Sequence, residues 1–114
     1  MAEPGDEEKF ALSRIFAGDE EFSVAVRAGL SGLVVLARDD SESGFVANLK
    51  FPEPLPSLLK APGAMEWYFK HRSMPHGGSF IVTYDSPEML ILFAMSFYGP
   101  WPTFDPTAFT PITG

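Results

Sequence analysis

The residues best equipped for chemistry stand together near the middle of the chain, in the run Lys70, His71, Arg72, Ser73, Met74, Pro75, His76, Gly77, Gly78. This run holds both histidines and a local positive charge in an otherwise acidic sequence. Arg72 would offer a carboxylate or phosphate a planar pair of donors, Lys70 would add charge, and the glycines would expose backbone amides. Lys70, Arg72, His76 and Tyr84 are therefore the candidate contacts for a small anionic ligand. His71 and His76 also titrate in the range that general acid/base catalysis uses, with Asp85 as a carboxylate that could orient one of them. The glycines do not make a phosphate loop, because Lys70 precedes them and no Gly-Lys-Ser or Gly-Lys-Thr follows.

Other chemistry is less well supplied. His71 and His76 would need a third donor, such as Glu66, Asp85 or Asp105, to hold zinc or iron, and their spacing does not place them on one helical face. Neither a metal nor a cofactor is expected. Ser73 and Ser79 lack the strand-to-helix elbow that exposes a serine nucleophile, and read as turn serines. The neighbouring carboxylates Asp39 and Asp40, like Glu20 and Glu21, read as solvated charges, since two-carboxylate catalysis depends on spatial separation.

Aromatic residues suggest recognition instead. The sequence carries 11 Phe, 2 Trp and 3 Tyr, and Trp67, Trp101, Phe104 and Phe109 are candidate contacts for a protein partner or a second copy. Such side chains supply a large contact area at a modest cost in side-chain entropy. The favoured expectation is a non-enzymatic interaction module, an adaptor or inhibitory partner. The alternative is a small-ligand-binding protein or enzyme with an anion-binding or acid/base pocket around His71, Arg72, His76 and Tyr84.

Composition narrows the classes further. The 114 residues carry a formal net charge of −7, and 46% of them are hydrophobic. A chain of this size forms one domain that hides roughly two thirds of its extended surface. With no cysteine, disulfide scaffolds, thiolate metal sites and cysteine nucleophiles are excluded. Residues 1–21 contain Glu3, Asp6, Glu7, Glu8, Asp19, Glu20 and Glu21 against Lys9 and Arg14. This negative balance repels a phosphate backbone, so no nucleic acid is expected as a partner. Met89–Phe97, the longest nearly unbroken apolar stretch, is too short for a membrane span. The acidic first residues lack the order of a secretory signal, and a cytoplasmic location is expected.

The elements that must position these residues follow from periodicity. Residues 1–6 read as a flexible lead-in, with 7–114 as one globular domain. Asp6 is a candidate cap for a helix from Glu7 to about Ala17, with Ala11, Leu12, Ile15 and Phe16 on its apolar face and Gly18 as its stop. Phe22, Val24 and Val26 alternate as in a strand, against a competing helix capped by Asp19. Leu33–Arg38 and Phe45–Phe51 read as a hairpin joined across Asp39–Gly44, with Asn48 and Lys50 facing outward. Prolines 52, 54 and 56 interrupt the ladder, and Leu55, Leu58 and Leu59 anchor a short helical turn. Met65–Arg72 reads as a helix with a Glu66–Lys70 ion pair, and Ser73–Gly78 as a loop.

Phe80–Tyr84 is a further strand. Asp85–Glu88 either turns into a second strand or begins a helix, and the strand is favoured for Met89–Phe97, hairpinned with Phe80–Tyr84. From Gly99 a proline-rich aromatic arm runs to residue 114 and either wraps the domain or docks on another subunit. The expected fold is α+β: an antiparallel sheet packed by short helices in a compact two-layer domain.

Overall fold

The computed structural model describes residues 5–112. Most of the expected lead-in, residues 1–4, and the last two residues of the arm lie outside the described residues. Two helices, α1 (Asp6–Ile15) and α2 (Glu21–Gly29), precede six strands: β1 (Val34–Ser41), β2 (Gly44–Lys50), β3 (Glu66–His71), β4 (Met74–Ser86), β5 (Met89–Ser96) and β6 (Phe109–Pro111). The strands form one sheet in the order β1-β2-β5-β4-β3-β6, antiparallel throughout. Both helices pack on one face, and the α+β two-layer expectation holds.

That face is built by simple alternation. Phe45, Ala47 and Leu49 of β2 point inward, as do Leu90, Leu92 and Ala94 of β5, Phe80 and Val82 of β4, and Phe69 of β3. Against them lie Ala11, Leu12, Ile15 and Phe16 from the first helical segment and Phe22 and Val26 from α2. The expected apolar stripe of α1 is thus the buried one. Its cap differs: Gly5, at φ 87°, is the N-cap, and Asp6 opens the first turn. At the other end, Arg27 of α2 donates to the carbonyls of Phe16, the C-cap, and Gly18, in the connection beyond it, at 2.5 and 2.6 Å.

Two expected hairpins are present. Their turns are tighter than the expected Asp39–Gly44 and Asp85–Glu88: β1 and β2 join through Glu42 and Ser43, with Asp39–Ser41 in the ladder, while β4 and β5 join through Pro87 and Glu88. The Met89–Phe97 stretch is therefore a strand over Met89–Ser96. The proline-rich connection is tied to the second turn: Phe51 N–H donates to Glu88 C=O at 2.8 Å and Leu55 N–H to Pro87 C=O at 2.7 Å. Of the three leucines beside it, Leu55 is buried, whereas Leu58 and Leu59 are exposed.

Three local expectations are overturned. Residues 22–26 form helix α2, where Phe22 and Val26 share the buried face and Val24 points to solvent. A spacing of two plus two is also a spacing of four, so the alternation fitted both periods. Met65–Arg72 is not helical: Glu66–His71 is strand β3, placing Trp67, Phe69 and His71 on the core side. Glu66 and Lys70 then lie roughly 13 Å apart along the strand, and the helical ion pair cannot form. Ser73–Gly78 is not a loop either, because β4 begins at Met74 after a turn of Arg72 and Ser73. The β3–β4 register shifts between Phe69 and His71, and Gly77 absorbs the bulge at φ 73°. A side chain at Gly77 would also strike the Phe69 carbonyl.

The C-terminal arm wraps the same chain. Trp101 N–H donates to Glu42 C=O at 2.7 Å, Arg72 N–H to Ala108 C=O at 3.1 Å, and β6 extends the sheet beside β3. Trp101 packs against Phe45, Phe69 and Phe80, with centroids 5.7–6.0 Å apart. Phe104 and Phe109 meet Phe10 of α1 at 5.6 and 4.9 Å. Arm, first helix and sheet thereby share one aromatic cluster.

Candidate interaction surface

The helix-free face of the sheet carries the largest set of exposed apolar side chains. Val46 and Phe93 are each 37% exposed, Tyr68 41%, Phe97 45% and Met95 49%. Register places them side by side: Val46 pairs with Phe93, Phe93 with Ile81, Ser79 with Met95 and Tyr68 with Ser79. Tyr68 and Phe97 rings meet at 6.1 Å at one end of the patch. Exposed apolar residues scattered singly are ordinary, whereas these adjoin one another along the ladder.

A concavity of about 540 Å³ lies on this face, lined by apolar Val46, Ile81, Phe93 and Met95 and by the polar edge of Asp39 and Ser41. Ser79 also lines it; its residue is 1% exposed, and its Oγ has no hydrogen-bond partner among the described residues. A buried hydroxyl left in this state costs on the order of 1–3 kcal/mol. One row of the ladder runs from Asp39 through Val46, Phe93 and Ile81 to Glu66. Three apolar residues therefore lie between two carboxylates, and the Glu66 carboxylate beside Tyr68 holds that phenol above its ordinary range.

The sequence-derived site residues are distributed otherwise. His71 is buried, its ring edge-on to Phe109 at 4.7 Å, and its Nδ1 accepts from Ser73 N–H at 2.9 Å. Its Nε2 has no partner among the described residues. Burial holds its pKa below the usual histidine range, with Arg72 adding to the effect and Asp105 opposing it. His76 is exposed and meets the ring of Tyr98 at 5.4 Å. The two histidines thus occupy different surroundings, and no shared acid/base pair is assembled.

Arg72 lies at the β3–β4 turn, 3.8 Å from Asp105, whose carboxylate is held low chiefly by hydrogen bonds from Thr107. A concavity of about 440 Å³ adjoins His71, Arg72 and Asp105, but Lys70, His76 and Tyr84 do not line it. Lys70 is exposed on the strand face opposite His71. Tyr84 and the exposed Asp85 sit at the far end of β4, roughly 26–30 Å of strand from His76 at about 3.3 Å per residue. Lys70, Arg72, His76 and Tyr84 therefore do not converge on one anion. No cluster of three or more metal-binding side chains occurs among the described residues, and no helix there is long and apolar enough to cross a membrane.

Trp67, Trp101, Phe104 and Phe109 are all half-buried in the intramolecular aromatic cluster. Trp101 is further fixed by its indole N–H, which donates to Glu7 at 2.9 Å. The sequence alone does not mark Val46, Ile81, Phe93 and Met95 as surface residues. Their signal was there in part: β5 is apolar on both faces although helices cover one.

The chain matches no known protein-family model, no curated protein and no solved structure. What is established is a small globular α+β domain with an aromatic cluster.

Proposed function

We propose that the protein is an interaction module that docks a protein partner through the helix-free face of its sheet. The observation that carries this reading is the contiguity of Val46, Phe93, Met95, Tyr68 and Phe97 on a face that no helix among the described residues covers. Covering that face would remove apolar area from water, the dominant favourable term in most protein association. The polar residues suited to catalysis do not meet at one point, so the surface supports recognition better than reaction.

The test is site-specific photocrosslinking in the native cell, with a photoreactive residue at position 93 or at the solvent-facing helix position 14. A partner captured from position 93, absent from position 14, and lost from the purified complex on Phe93→Glu supports the docking face. Equal capture at both positions, or a purified complex indifferent to Phe93→Glu, rejects it.

A further inference from the structure

We infer that the docking face selects a cationic amphipathic peptide segment, with apolar side chains at its centre and Lys or Arg toward both ends. The inference rests on the proposed docking role and names the chemistry of the occupant. Its first support is charge complementarity. In the row Asp39, Val46, Phe93, Ile81, Glu66, the carboxylates stand at the two ends of an apolar centre. Five adjacent strands put the ends roughly 19 Å apart at about 4.8 Å per step. Among the described residues neither Asp39 nor Glu66 makes an ion pair, and the Glu66 carboxylate meets the Tyr68 phenol. Lys50 and Lys70 stand on the same face but outside this row.

An anionic segment would meet like charge at both ends of the row. A second copy would bring the same carboxylates and a net charge of −7 against its own kind. Ser79 adds an independent feature. Its unpartnered Oγ, in the concavity beside Met95, can pair with a polar atom on the anchoring side chain. Met95 is unbranched and about half exposed, and can move aside to admit it.

The experiment is display selection on the intact purified protein, using randomised peptides of about 16 residues, long enough to cross the row as helix or strand. Selected binders are expected to carry basic residues on both sides of an apolar centre. They should lose about tenfold in affinity on the paired change Asp39→Asn and Glu66→Gln, and weaken with added salt. Ser79→Ala should cost them about three- to tenfold. Circular dichroism and thermal melting establish that each variant is folded.

Binders that are acidic or uncharged, or that bind the neutralised variant equally well, overturn the inference. If those binders are still lost on Phe93→Glu, the docking face stands and only its partner class is wrong. If the selected peptides ignore Phe93→Glu, or no peptide is selected, both readings fall. Full affinity for Ser79→Ala overturns the hydroxyl anchor.

Discussion

The two faces of one sheet are made from nearly the same kinds of residue and meet different fates. On the inner face Phe45, Phe69 and Phe80 are buried under two helices and the C-terminal arm; on the outer face Phe93, Met95 and Val46 remain in contact with water. Strand β5 contributes to both, through Leu90, Leu92 and Ala94 inward and Phe93 and Met95 outward. Hydrophobicity alone therefore did not decide burial. The second layer did, by having helices enough for one side.

Breaking the inner face should be the costliest change. Phe80→Ala empties a fully buried site in contact with Trp67, Phe69 and Trp101. It should cost about 3–5 kcal/mol in urea unfolding. A loss near that of a surface change would show that the aromatic cluster is not a working core.

Next is the polar clasp at the margin of that core. Arg38 bridges Glu7 at 2.8 Å, Glu8 at 3.2 Å and Asp40 at 2.9 Å, and its guanidinium stacks 3.7 Å over Phe45. Glu7 and Glu8 are nearly buried, so Arg38→Ala leaves two carboxylates poorly solvated. A loss of about 2–4 kcal/mol is expected, below that of a fully buried cluster because Arg38 keeps some water contact. Arg38→Ala combined with Glu7→Gln and Glu8→Gln should recover part of that loss, measured by comparing the triple variant with Arg38→Ala and with the paired glutamine variant.

A smaller effect should come from His71. Burial lowers its folded-state pKa, so below the ordinary histidine value the unfolded chain binds the proton more readily than the folded one. Its contribution is full above the unfolded pKa and is lost as pH falls through the ordinary range toward the folded value. Stability should thus decline between roughly pH 7.5 and 5.5. His71→Phe should flatten that decline; an unchanged slope would assign it elsewhere.

The outer face should give the least. Phe93→Ser should change stability by less than about 1 kcal/mol, since the ring is already part-solvated. If it proves as costly as Phe80→Ala, the outer face is a packed layer and the contrast between faces collapses.

Much of this fold was legible locally. The amphipathic stripe of α1, the β1–β2 hairpin and the pairing of Phe80–Tyr84 with the following strand all follow from short-range period and turn chemistry. The misreadings share a cause. Glu66–His71 contains residues compatible with either period, and its strand state is set by ladders to β4 and β6, segments that begin 3 and 38 residues beyond its end. The candidate site was less legible. A cluster of polar residues along the chain became, once β3 and β4 ran antiparallel, side chains on opposite faces and at opposite ends of strands.

By itself, then, the sequence determined an acidic, cysteine-free α+β domain rich in aromatic core material, because composition and short-range periodicity act on each segment independently. Only the tertiary structure decided where the arm docks, which aromatic residues are sequestered, and which face of β5 stays open. Those outcomes depend on long-range pairing and on how many covering elements are available, neither of which is a property of any single stretch of chain.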